Sequence, residues 1–110
     1  MILFQLYFEV TEDRRAEFER VYCEAFEPAL RKQLGFQHVR FLRLYGPEVC
    51  SEIDAAPTEF NYQVNFAFDS EQNRRRWAAS ADHDAAWPQF SAIAQRAQWR
   101  GYEVIAGSHA

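Results

Sequence analysis

Cysteine is scarce: Cys23 and Cys50 are the two in 110 residues, and no close Cys-x-x-Cys pair joins them. That excludes a thiol redox motif or zinc spacing, and reduced thiols in a cytoplasmic setting are the expectation; Cys50 lies in an expected loop as an incidental or a reactive thiol. Positive charge is also short, with 12 Lys and Arg against 16 Asp and Glu and a net charge of -4. Without a basic patch interleaved with aromatics, nucleic acid is not expected as a partner. The one basic run, Arg74 to Arg76 before Trp77, reads as a solvated helix face or as a contact for an anionic partner. Long hydrophobic runs are missing, so no membrane partner is expected. The apolar start from Met1 to Phe8 is interrupted by Gln5 and ended by Glu9, with no positive leader or cleavage pattern, and reads as a first strand. There is no phosphate-binding glycine loop, nucleophile triad, internal repeat or low-complexity tract, and no cofactor is expected.

What the chain does have is aromatic surface, 16% of its residues, ten of them Phe. A length of 110 residues predicts one domain, 1–110, with a single core and apolar area left over for an oligomer to bury. In the stretch from Phe60 to Phe68, Phe60, Tyr62, Val64, Phe66 and Phe68 alternate with Asn61, Gln63, Asn65 and Ala67, the period of a strand with one apolar face. Ile2, Phe4, Leu6, Phe8 and Val10 define an earlier strand in the same way.

Thr11 is placed to cap a helix running to Leu34, in which Phe18, Val21, Tyr22, Phe26 and Leu30 recur at helical spacing, Pro28 kinks or splits the pattern and Gly35 ends it in a left-handed turn. Phe36 to Tyr45 reads as a second strand, with Val39 and Phe41 on one face and His38, Arg40 and Leu42 on the other. Val49 to Thr58 reads as loop. Asp69 or Ser70 caps the next helix, Ser80 to Asp84 reads as a break, and Trp87-Pro88 restarts a helix continuing toward Trp99. A short last strand follows Gly101.

This order, strand, helix, strand, strand, helix, strand, predicts an α+β ferredoxin-like βαββαβ fold: a four-stranded antiparallel sheet with its helices on one side. The other side carries Leu3, Tyr7, Leu42, Leu44 and Ile105, too apolar for a wet surface, which predicts a homodimer whose second sheet covers it. Gln5, Tyr7, Glu9, His38, Arg40, Asn61, Gln63, Asn65 and Glu103 are expected to point the same way. Polar groups enclosed there need partners, so the face is either a polar small-molecule pocket or a wet dimer contact.

The topology together with Ser80-x-x-His83-x-x-x-Trp87-Pro88 resembles the dimeric alpha-beta barrel superfamily, in particular its antibiotic-biosynthesis-monooxygenase-like and stress-responsive branches. The resemblance implies a homodimer with a joint barrel, and a subunit that binds a small molecule, oxygenates an electron-rich aromatic or polyketide-like substrate without a cofactor, or serves as a non-catalytic structural dimer. His83 is the acid-base candidate, taking a phenolic proton, and its alternative is to bridge a helix break through Asp82 or Asp84. Arg40 is the second catalytic candidate, binding a carboxylate or phenolate, unless it pairs with Glu9 or Glu103. Tyr7, His38, Asn61, Gln63, Asn65 and Trp87 are the expected ligand-binding residues, with a small aromatic molecule as ligand. No metal site is expected from Asp82 and Asp84, and haem would require His38 or His83 as axial ligand.

Overall fold

The computed structural model describes residues 1–108. Four strands, β1 (Ile2–Glu9), β2 (Phe36–Arg43), β3 (Tyr62–Phe68) and β4 (Arg96–Glu103), form one antiparallel sheet in the order β2-β3-β1-β4. Leu6 lies opposite Val64 on β3 and Trp99 on β4, and Phe41 opposite Val64 across β2 and β3. Since paired residues share a face, Ile2, Phe4, Leu6 and Phe8 stand with Tyr62, Val64, Phe66, Phe68, Val39, Phe41, Ala97 and Trp99 on the side the helices cover.

The first crossover starts with a 3-10 turn at Glu12–Arg14 and continues through α1 (Arg15–Val21), a π-helical turn (Tyr22–Phe26) and α2 (Glu27–Arg31). Thr11 makes no side-chain capping bond. The π turn answers the question posed by Pro28. In a regular helix its ring would collide with the Glu24 carbonyl; here the Glu27 N–H reaches back five residues to Tyr22, widening the turn just before the proline. Gly35 closes the unit at φ +83°, as the sequence predicts.

Three elements depart from expectation. Residues expected as loop include a helix, α3 (Pro47–Glu52), with Pro47 at its first turn; six residues are too few for periodicity to declare it. The expected break at Ser80 is a helix start: Ser80 Oγ accepts from the His83 N–H at 3.0 Å, so α5 (Ala81–Ser91) runs through Pro88 rather than beginning there. α5 follows α4 (Glu71–Ala78), capped by Ser70, whose Oγ accepts from the Asn73 N–H. Finally, Ala97 and Trp99 belong to β4 and not to a helix, because pairing with β1 overrides an ambiguous apolar spacing.

The core between sheet and helices is aromatic. Phe90, fully buried, stacks on Phe18 at 4.4 Å and Phe26 at 4.8 Å and meets Phe8 edge-on at 5.1 Å. Burying each such ring contributes about 1.5–3 kcal/mol. Tyr22 stacks on Phe41 at 4.1 Å, which ties the π turn to β2.

Candidate functional site

On the helix side of the sheet the core is left open where α4 and α5 diverge from β1 and β4. The opening is a cleft of about 270 Å³. Its floor is Phe4 and Leu6 of β1, Phe66 of β3 and Trp99 of β4; its walls are Phe26, Arg74, Trp77, Ala78, His83 and Trp87. All three tryptophans of the chain line it.

Each wall residue is held by its neighbours. The Ser80 cap fixes the first turn of α5 and thereby the backbone of His83. One helical turn separates His83 from Trp87, and their rings lie nearly parallel, 17° apart with centroids at 6.2 Å. Trp77 meets His83 edge-on at 5.0 Å, and Trp99 meets Trp87 edge-on at 5.9 Å. The His83 side chain is one-quarter exposed, with Nδ1 at 3.5 Å from the Asp84 carboxylate. Asp82 is engaged elsewhere: Gln33 Nε2 donates to it at 2.9 Å and Lys32 approaches at 3.2 Å, which together hold its carboxyl below the usual range. Gly101 contributes by absence, since a Cβ there would overlap the Phe4 ring that forms the floor.

Of the candidate residues, only His83 and Trp87 line this cleft. Tyr7, His38, Arg40, Gln63 and Asn65 occupy the opposite face of the sheet, where Tyr7 pairs with Gln63, Leu42 with Gln63 and Arg40 with Asn65. Strand alternation thus divides the expected catalytic pair: Arg40 and His83 stand on opposite sides of the sheet. Arg40 is exposed and donates to the Val39 carbonyl at 2.9 Å, while Glu9 pairs with Arg96 at 3.6 Å. Glu103 lies opposite Ile2 and so falls on the helix side, contrary to expectation.

The amide row is also rearranged. β3 begins only at Tyr62, and Asn61 uses both ends of its amide on the Val10 main chain, accepting from N–H at 2.9 Å and donating to the carbonyl at 2.8 Å. Released from the strand, Phe60 packs against Tyr7, on the face away from the helices. Gln63 donates to Asn65 at 2.7 Å, and the Tyr7 hydroxyl donates to Gln5. Burial, followed by Tyr102, pushes the Tyr7 phenol up from its ordinary value.

Phe4, Arg74 and Trp99 are cleft residues beyond the expected set. Arg74 was legible as part of the basic run, but only the packing of α4 against the sheet selects it from its neighbours. Trp99 required the strand assignment of β4. Among the described residues no group of three or more His, Cys, Asp or Glu is arranged to hold a metal ion. Of the two histidines considered as haem ligands, His83 lines the cleft, whereas His38 pairs with Ala67 on the opposite face of the sheet.

The sheet order and the one-sided helices define an α+β ferredoxin-like fold, which the chain shares with solved structures described as antibiotic biosynthesis monooxygenases. Among solved structures the chain is similar to SnoaB, a cofactor-independent oxygenase from Streptomyces nogalater, with a TM-score of 0.75, 18% identity and coverage of 96% of this chain and 94% of that one. It is similar to MhuD in a structure with two manganese protoporphyrin IX molecules per active site, with a TM-score of 0.75 and 20% identity over 100% of both chains. A dimeric ferredoxin-like protein of unknown function from Thermobifida fusca matches with a TM-score of 0.69 and 17% identity, covering 94% of this chain and 90% of that one. No family model matches the chain, and no curated protein matches it in sequence.

Proposed function

We propose that this chain binds a small planar aromatic molecule in the helix-side cleft, as one subunit of a homodimer. The observation that carries the reading is the convergence of Trp77, Trp87, Trp99 and His83 on one cleft. Aromatic walls with few polar groups favour a flat apolar ligand through stacking and desolvation. The volume, about 270 Å³, suits a body of two or three fused rings. Assembly is supported by the sheet's outer face, where Leu42 is 42% exposed and Tyr102 45%, and by the dimeric neighbour from Thermobifida fusca. The test is to titrate the protein with naphthalene- and anthracene-type compounds while following the three indole N–H resonances. Saturable shifts that Trp87→Ala weakens are expected; saturable binding with unmoved indole signals overturns the site.

A second reading, cofactor-independent oxygenation of an electron-rich phenol, is favoured by His83 within that wall and by the similarity to SnoaB. His83 would take the phenolic proton, leaving a phenolate able to give an electron to dioxygen. The partly enclosed aromatic surroundings limit the water that competes for the phenolate. Substrate-dependent oxygen uptake that His83→Ala abolishes without loss of ligand binding supports this reading; uptake unaltered by the substitution removes His83 from it.

A further inference from the structure

Arg74 is the one permanently charged side chain in a cleft lined mainly by aromatic residues. Its side chain is only 20% exposed, and its guanidinium lies 5.1 Å above the centre of the Phe4 ring that forms the floor. Glu71 accepts from Arg74 Nε at 3.4 Å and from Nη2, leaving part of a five-donor fork unused. The same carboxylate also accepts from Arg75 Nε at 3.1 Å. One negative charge is therefore shared between two guanidinium groups, and the local balance on α4 stays positive. Arg74 heads the causes that hold the Glu71 carboxyl below its usual range. The other acids nearby do not reverse that balance at the cleft. Asp82 is bound to Lys32 and Gln33, Asp84 is three-quarters exposed, and Glu71 and Glu103 line a separate depression that shares Phe4 with the cleft.

A guanidinium beside stacked rings recognises a ligand with a flat apolar body and a planar oxyanion at one edge. We infer that the cleft selects aromatic oxyanions, carboxylate or phenolate, with the rings among the tryptophans and the anionic edge on the free donors of Arg74. This rests on the cleft being the ligand site, and it adds a requirement for charge that the aromatic walls alone do not impose.

The experiment compares 2-naphthoate with its neutral counterpart 2-naphthamide on the full chain, with affinities from calorimetry and location from the indole N–H resonances. The acid binds about tenfold tighter than the amide, the scale of one charge-assisted hydrogen bond. In Arg74→Gln that preference disappears while amide binding persists. Arg75→Gln, which alters the same Glu71 cluster outside the cleft, keeps the preference. Thermal unfolding of both variants shows that each is folded. Equal affinities for acid and amide in the parent chain, or a preference that survives Arg74→Gln, overturn the inference and leave the ligand site standing. If neither probe moves the indole signals, the ligand site itself falls, and the charge selection with it.

Discussion

Two glycines show how single positions shape this molecule. At Gly35, φ +83° combines with the side chains of Asp69 and Asn73 crowding where a Cβ would stand, so Gly35→Ala is both strained and obstructed. We expect a loss of about 1–3 kcal/mol, read by denaturant unfolding. Gly101→Ala meets the Phe4 ring instead, and the ring that forms the cleft floor must shift to make room. We expect a comparable loss of about 1–3 kcal/mol from overpacking, with weakened aromatic binding alongside. A Gly101→Ala protein that binds the probes as the parent does would show that Phe4 is not a fixed floor. On β3, Val64→Asp places an unpaired charge in a fully buried position and should cost about 3–5 kcal/mol, whereas Asn65→Ala on the opposite face should leave cooperative thermal unfolding largely intact. Similar losses in both would contradict the division of the sheet into two faces.

At the scale of elements, the strands with strict alternation were legible in the sequence. Tyr62 to Phe68 carries an apolar pattern with one strongly apolar face, and Ile2 to Phe8 keeps the same alternation with Leu3 and Tyr7 adding apolar groups to its second face. The helical segments were legible wherever apolar residues recurred through several turns, as from Phe18 to Leu30. What the sequence did not disclose were boundaries decided by partners distant in the chain. Nothing local starts β3 at Tyr62 rather than at Phe60; the Asn61 amide is taken up by the Val10 main chain just before the strand begins. Nothing local makes Trp99 a strand residue either, since only the Leu6 position on β1 defines its register. The candidate site was half legible for the same reason. His83 and Trp87 share a helix face whatever surrounds it, while their grouping with Arg40 depended on where β2 and α5 lie relative to the sheet.

The element contacts also set a response to pH. Asp82, at the start of α5, receives Gln33 and Lys32 from the end of the first helical unit, and its folded-state carboxyl is depressed by them. A depressed carboxyl stabilises above its unfolded value near 3.8, and that contribution disappears as pH falls through the lower folded value. Asp82→Asn should therefore remove part of the acid sensitivity in a thermal-unfolding series taken downward from pH 5. At the alkaline end the sign reverses. Burial raises the phenols of Tyr22 and Tyr62 above the ordinary value of 10.0, so the folded chain keeps protons that the unfolded chain releases. Stability is expected to decline as pH rises beyond about 10, and a Tyr22→Phe variant should decline less steeply.

For the whole molecule, the sheet sets an aromatic cleft on one side and a mixed polar and apolar surface on the other. If the outer surface joins two copies, Leu42→Lys combined with Tyr102→Lys should produce monomers by light scattering while each chain still binds 2-naphthoate. A double variant that stays dimeric places the subunit contact elsewhere. Persistent dimerisation would not affect the cleft, because neither substituted residue lines it.

Strand β1 gives this arrangement a consequence for descent. Phe4 and Leu6 belong to the cleft, while Gln5 and Tyr7 belong to the outer face, so neighbouring codons answer to different demands. Mutation can remodel what the cleft accepts at even-numbered positions without touching the surface written at the odd ones. An insertion of one residue within the strand would exchange the two sets. Point substitutions are thus an open route to new ligand preferences on this scaffold, and length changes within its central strands are a closed one.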